Sequence, residues 1–118
     1  MSGINSFIPL QEPTFFILLS LRGGEKHGYA ILKEVAGLSE ERVKLSTGTL
    51  YGALNRLLDQ ELIERLEDRD GVRGKKAYRL TRRGLEVFDG EVRRMQQMLA
   101  AAQHSPGSTA QAEGELGI

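Results

Sequence analysis

Three features of the sequence predict a mainly α-helical domain with a small β-hairpin wing, a winged helix-turn-helix extended by a long C-terminal dimerisation helix. A leucine-periodic helix begins near Ser46, a basic hairpin follows it directly, and a heptad seam runs through the last periodic stretch. The chain has 118 residues, 40% of them hydrophobic, which is enough for one domain with a modest core. The expected organisation is an N-terminal arm over 1–12, a DNA-binding domain over 13–81, the dimerisation helix over 82–103 and a disordered tail over 104–118.

Residues 1–12 read as a flexible arm or a short packing segment. Pro13 then stands where a first helical turn tolerates it. The following stretch, Thr14–Leu21, is nearly all apolar, which predicts a helix buried on most sides and ended by Gly23-Gly24. A second helix is predicted from Lys26 or His27 to Ala36, with Ile31, Leu32 and Val35 facing inward and Gly37 as its terminator. Within it, Gly28 permits close packing and Tyr29 contributes ring area. The polar stretch between Leu38 and Lys44 supplies the turn of a helix-turn-helix, or a brief helical extension.

The third helix carries the function. Leu50, Leu54, Leu57 and Leu58 recur at helical spacing behind a Ser46-Thr47 start that can cap the first turn. The opposite face holds Thr49, Tyr51, Gly52, Asn55, Arg56 and Asp59, a set suited to a groove of hydrogen-bond donors and acceptors. Asn55 suits an adenine edge and Arg56 a guanine or a phosphate. The hydroxyls of Ser46, Thr47 and Thr49, close to a helix N-terminus, suit phosphates. The plainer reading is a solvated helix surface, and the neighbouring charge decides against it.

That charge lies in the wing. Two β-type segments, Ile63–Glu67 and Lys76–Leu80, flank a turn at Asp70-Gly71 and Gly74. From Arg69 to Arg83 there are seven cations and one anion, 7 − 1 = +6, although the whole chain has 16 charges of each sign. A local field of this kind attracts a polyanion whatever the net charge. Arg73, Lys75 and Lys76 are the expected phosphate contacts; the same cations also discourage strand pairing between molecules. Asp59, Glu61, Glu64, Glu67 and Asp68 read as a solvated surface that balances the wing.

In the last helix Leu85, Phe88, Val92, Met95, Leu99 and Ala102 are spaced 3, 4, 3, 4, 3. A helix of roughly 21 residues reaches about 30 Å, more than a small domain covers by itself, so a second copy is the expected partner. Leu85, Phe88, Val92, Met95 and Leu99 are the expected dimer contacts, with Leu85 and Phe88 also placed to fold back on Phe15 and Phe16. Gly90 costs the helix ~1 kcal/mol relative to alanine and suits the close approach of another backbone.

Catalysis finds no support. There is no cysteine, which excludes disulfides, thiolate zinc sites and cysteine nucleophiles. His27 has only His104, in the tail, as a histidine companion and reads as a helix-start or packing residue. No phosphate loop or nucleophile elbow occurs, so no enzyme activity, cofactor or metal is expected. The apolar run Phe15–Leu19 follows Glu12-Pro13 with no basic lead and falls far short of the ~20 residues of a membrane span. A cytoplasmic protein is expected.

The stretches HGYAIL at 27–32, LSTGTLYGALNRLLDQELI at 45–63 and KKAYRLTRRGLEVF at 75–88, in this order and spacing, resemble the PadR family of bacterial transcriptional regulators over about Phe15 to Phe88. The resemblance implies a winged helix-turn-helix dimerised by its C-terminal helix, usually a repressor, sometimes relieved by a phenolic acid or a drug-like aromatic ligand. It implies the short form with a single dimerisation helix, and it matches Tyr51 and Tyr78 to tyrosines of the family pattern, the first one approaching DNA. The expected partners are double-stranded DNA, a second copy of the chain and a small-molecule effector, with no membrane. Two recognition helices would enter grooves about 34–36 Å apart. A ligand between the last and first helices, near the adaptable Met95 and Met98, would alter that spacing. The sequence departs from the family in having Gly52 for a common proline, Glu61 for a common glycine and no tryptophan, the last of which argues against an aromatic-drug effector. A winged-helix protein-interaction module is the alternative from another class; the concentrated wing charge opposes it.

Overall fold

The structure, a computed structural model, describes residues 3–67 and 76–104. The expected hairpin turn with Arg69, Arg73 and Lys75, and the expected tail after His104, lie outside these residues. A 3-10 turn at Ile4–Phe7 leads into α1 (Glu12–Arg22), β1 (Lys26–His27), α2 (Gly28–Leu38), α3 (Thr47–Asp59), β2 (Ile63–Glu67), β3 (Lys76–Leu80) and α4 (Arg82–His104). The fold is the expected mainly helical winged helix, with a three-stranded antiparallel sheet in place of a two-stranded hairpin.

The apolar side chains of α1 explain its central place. Ile17 and Leu18 are fully buried, together with Ile31 and Val35 of α2, Leu50 and Leu54 of α3 and Val87 of α4. Ser20 is tolerated among them because its hydroxyl donates to the Ile17 carbonyl at 2.7 Å. The helix stops at Gly23, and Gly24, at φ +129°, turns the chain into β1.

That first strand was not foreseen. Lys26 and His27 pair with Tyr78 and Ala77 of β3, giving the strand order β1-β3-β2. Two residues are too few for an alternating pattern; only the open edge of β3 makes them a strand. Helix α2 therefore starts later than predicted, at Gly28, and runs through Gly37 to Leu38. Gly37 does not terminate it. The chain reverses instead at Glu40 and Glu41, both at positive φ, while the Ser39 hydroxyl accepts the Val43 N–H at 2.9 Å.

Ser46 caps α3 as expected, its hydroxyl accepting the Thr49 N–H at 3.0 Å. At the other end Glu61, at φ 62°, closes a Schellman turn in which the Leu62 N–H reaches the Leu57 carbonyl and the Glu61 N–H the Leu58 carbonyl, each at 3.0 Å. The strands β2 and β3 occupy the predicted spans, in the register Ile63↔Leu80 through Glu67↔Lys76. Thr81 joins the sheet to α4: its hydroxyl donates to the Glu61 carbonyl at 2.7 Å and accepts the Gly84 N–H at 3.0 Å.

The N-terminal segment packs. Phe7, Ile8 and Leu10 lie on the core, Arg83 sits over the Phe7 ring, and the Leu10 N–H donates to the buried carboxylate of Glu91 at 3.0 Å. The seam of α4 divides. Phe88 is only 3% exposed and stacks on Phe15 at 5.1 Å, so it belongs to the core of its own protomer, folded back as anticipated. Val92 is partly covered by that core, Met95 is half-buried, and Leu85, Met98 and Leu99 are exposed, Leu99 by 57%.

Candidate nucleic-acid interface

Helix α3 buries Leu50, Ala53, Leu54 and Leu57, and this fixes what it presents on the other side. Ser46, Thr47, Thr49, Tyr51, Asn55 and Arg56 are all exposed, so the expected set shares one solvent-facing arc. Asp59 lies on it as well. Gly52 has open space around it, the nearest atom to a Cβ there being the Arg56 guanidinium nitrogen at 3.9 Å.

Beside this arc lies a cleft of about 470 Å³, lined by His27, Gly28, Tyr29, Tyr51, Asn55, Arg65, Lys76 and Tyr78. Three local features build it. The β1–β3 pairing brings His27 to the sheet, where its Nδ1 stands 3.3 Å from the Lys76 carbonyl oxygen. The register sets Arg65 directly across from Tyr78, on one sheet face. Gly28 lets Tyr51 lean in: a Cβ at Gly28 would stand 2.9 Å from the Tyr51 Cζ. Burial, and then the neighbouring Tyr51, push the Tyr78 hydroxyl above its ordinary pKa, against a smaller opposing pull from Arg65. Tyr78 therefore stays a hydrogen-bond donor at neutral pH.

The cleft joins the predicted Tyr51, Asn55 and Lys76 to His27, Tyr29, Arg65 and Tyr78, none of which were among the predicted DNA contacts. Arg65 and Tyr78 meet only through the strand register, which no pattern within β2 or β3 displays. Tyr29 departs from its expected packing role: it is 70% exposed, with the Lys33 ammonium 5.5 Å from its ring, because the inward face of α2 is taken by Gly28, Ile31 and Val35.

The charge pattern also differs from the sequence expectation. Of the +6 run, Arg79 is held by Glu64 at 2.6 Å, Arg82 faces Glu86 at 3.7 Å and Arg83 faces Glu61 at 3.6 Å. Glu61 and Glu64 belong to the acidic set expected to balance the wing; Glu86 lies outside it. Elsewhere Arg22, Lys26, Arg42, Lys44 and Arg94 likewise have carboxylate partners. Among the described residues five cations form no ion pair: Arg56, Arg65 and Lys76, which lie on the α3 arc or in the cleft beside it, Lys33, which sits over the Tyr29 ring, and Arg93 on α4. Three of these five unpaired cations thus stand at the exposed side of α3 or in the cleft beside it. Arg73 and Lys75 fall outside the described residues.

Among the described residues no group of three or more metal-ligating side chains occurs, and no helix is long and apolar enough to cross a membrane.

The family model "Transcriptional regulator PadR-like family" matches residues 17–89. A 37.1 kDa protein of transposon TN4556 from Streptomyces fradiae is 35% identical over 84 residues, which are 71% of this chain and 23% of that protein. The chain thus aligns with less than a quarter of that relative. Among solved structures, Bacillus subtilis PadR in complex with operator DNA superposes with a TM-score of 0.62 at 25% identity, covering 71% of this chain and 47% of that one. BpsR of Bordetella bronchiseptica, a protein whose DNA binding is regulated by 6-hydroxynicotinic acid, shares the fold with a TM-score of 0.63 at 22% identity, over 86% of this chain and 73% of that one.

Proposed function

Because this chain belongs to the PadR-like family of transcriptional regulators, we propose that it is a homodimeric, sequence-specific DNA-binding repressor, acting in the cytoplasm and relieved by a small aromatic effector. The observation that carries the DNA-binding reading is the gathering of Arg56, Arg65 and Lys76, none with a carboxylate partner among the described residues, around the exposed arc of α3. Cations without internal partners keep their full charge for phosphates, whereas Arg79 and Arg83 would first have to give up Glu64 and Glu61.

In this reading α3 enters the major groove. The hydroxyls of Ser46, Thr47 and Thr49 take phosphates at the helix N-terminus, Asn55 reaches a base edge, and Arg56 takes a phosphate or a guanine edge. Lys76, with Arg73 and Lys75 before it, grips the flanking backbone. The operator complex of the Bacillus subtilis protein supports this use of the fold. The support for dimerisation lies in α4, where Val92, Met95 and Leu99 continue beyond the core that covers Phe88 and leave an apolar stripe that a second copy would bury.

The test is selective binding of the purified chain to DNA from upstream of its own gene, against unrelated DNA of equal length, with the mass of the free protein measured by light scattering. Selective binding by a dimer supports the proposal. Equal weak binding to both DNAs overturns it in favour of a protein-docking module, and a monomeric mass overturns the dimer.

A further inference from the structure

We propose that Glu91 of α4 is a positioning residue for DNA binding: it latches residues 6–11 onto α4 as a strap, and the strap confines Arg56 on the exposed arc of α3. Glu91 is 2% exposed and has no part in the α3 arc or in the cleft beside it. A carboxylate at that depth costs desolvation, which its hydrogen bonds offset, so an apolar residue of similar size would serve the core as well. What the charge adds is a fixed place for a stretch of chain with little regular structure.

The strap is attached to α4 at two points. The Leu10 N–H donates to Glu91 Oε2 at 3.0 Å, while Arg94 holds the carboxylate through Nε and Nη2 and so fixes its orientation. One end of the strap lies under Arg83, whose guanidinium stands 5.2 Å from the centre of the Phe7 ring. Residues 8–11 belong to no helix or strand, so these contacts and the packing of Phe7, Ile8 and Leu10 on the core are what keep them in place.

The strap also faces α3. Ser6, Phe7, Pro9 and Leu10 form one wall of a cleft of about 350 Å³, and Ala53, Arg56, Leu57 and Gln60 of α3 line it from the other side. Arg56 makes no hydrogen bond or ion pair among the described residues. Toward Gly52 it meets no side chain, its guanidinium nitrogen standing 3.9 Å from the position of a Cβ there. The strap is therefore the wall that limits where Arg56 can swing. An arginine already confined loses less rotamer freedom when it meets DNA. The confinement is a property of the free protein; its effect on affinity rests on the proposed DNA-binding reading.

The test uses the full chain with Glu91→Ala and Phe7→Ala, which loosen the strap at either attachment, and Glu91→Gln, which keeps an acceptor for the Leu10 N–H. Each is made alone and together with Arg56→Gln. In the free, ¹⁵N-labelled protein the relaxation of the Arg56 Nε–H resonance, assigned by its loss in Arg56→Gln, reports the confinement. Affinity for DNA from upstream of the gene, measured well below each variant's melting temperature, reports the consequence. The Arg56 order parameter should fall in both alanine variants and stay near the wild-type value in Glu91→Gln. Affinity should fall by at least about threefold in each alanine variant and no further when residue 56 is already glutamine. A general loss of stability would weaken both backgrounds equally, and that result overturns the positioning role. An unchanged Arg56 order parameter in the alanine variants overturns the strap, and a fall in Glu91→Gln as large as in Glu91→Ala overturns the Leu10 latch. DNA that fails to bind at all overturns the DNA-binding reading, while loss of Arg56 order in the free protein still establishes the strap.

Discussion

Gly28 of α2 and Tyr51 of α3 occupy complementary space: the tyrosine ring rests where a side chain at Gly28 would project, 2.9 Å separating Tyr51 Cζ from the position of that Cβ. The contact is with the free end of a side chain, so a methyl group at Gly28 displaces Tyr51 more readily than it strains the backbone. Gly28→Ala is expected to change stability by less than about 1 kcal/mol in chemical denaturation. Its DNA affinity is expected to fall about fivefold or more, as Tyr51 leaves its place on the α3 arc.

Gly84 gives the opposite outcome. A Cβ there would lie 2.9 Å from the carbonyl carbon of Leu62 and closer still to its oxygen, and neither atom is free to move, because the same carbonyl accepts the Thr81 N–H at 3.1 Å. Gly84→Ala must push α4 away from the connection between α3 and β2, at about 2–3 kcal/mol. A lowered urea midpoint with unchanged slope checks this.

Glu61 holds a left-handed conformation at φ 62°, which glycine adopts without a Cβ penalty. The Schellman bonds at this turn come from backbone groups and survive substitution. The ion pair with Arg83, 3.6 Å long and exposed, contributes little. Glu61→Gly is therefore expected to stabilise the fold by about 0.5–1 kcal/mol, partly offset by a more flexible unfolded chain. A raised melting temperature is the readout.

Glu91 is 2% exposed and accepts hydrogen bonds from Arg94 Nε at 2.7 Å, Arg94 Nη2 at 3.0 Å and the Leu10 N–H at 3.0 Å. The Arg94 hydrogen bond holds its carboxyl below the ordinary range, burial opposes this, and Leu10 lowers it further. A lowered folded pKa means stability that is fully present above the ordinary carboxylate range and is lost as pH falls through the folded value. In Glu91→Gln this part of the acid limb should flatten, so that variant and wild type converge at low pH. Glu91→Ala, which orphans the Leu10 N–H, should cost on the order of 1–2 kcal/mol at neutral pH.

The sequence made the periodic elements legible and left the local exceptions hidden. Leucine spacing placed α3 with its Ser46 cap, and the strands β2 and β3 stand at their predicted spans, because each pattern repeats often enough to be read. The strand at Lys26–His27 has no pattern of its own, and the end of α2 shifted because the turn is made by Glu40 and Glu41 at positive φ while Gly37 remains helical. The α3 arc was visible as a polar face. The cleft was not: it depends on Gly28 and on the Arg65↔Tyr78 register, which bring together residues distant in the chain. Counting charges along the run from Arg69 to Arg83 overstated the free charge of the wing, since a count does not show that Glu64 and Glu61 already face Arg79 and Arg83.

The most direct test of the account compares the salt dependence of DNA binding between the wild type and an Arg56→Gln/Arg65→Gln/Lys76→Gln variant, with Arg22→Gln/Arg42→Gln as a control in which two ion-paired cations are removed. Each phosphate contact contributes about 0.9 to the slope of log affinity against log salt. The account predicts a slope shallower by about 2–3 per protomer in the triple variant and an unchanged slope in the control. An unchanged slope in the triple variant, or an equal loss in the control, would contradict the claim that the unpaired cations around α3 hold the DNA.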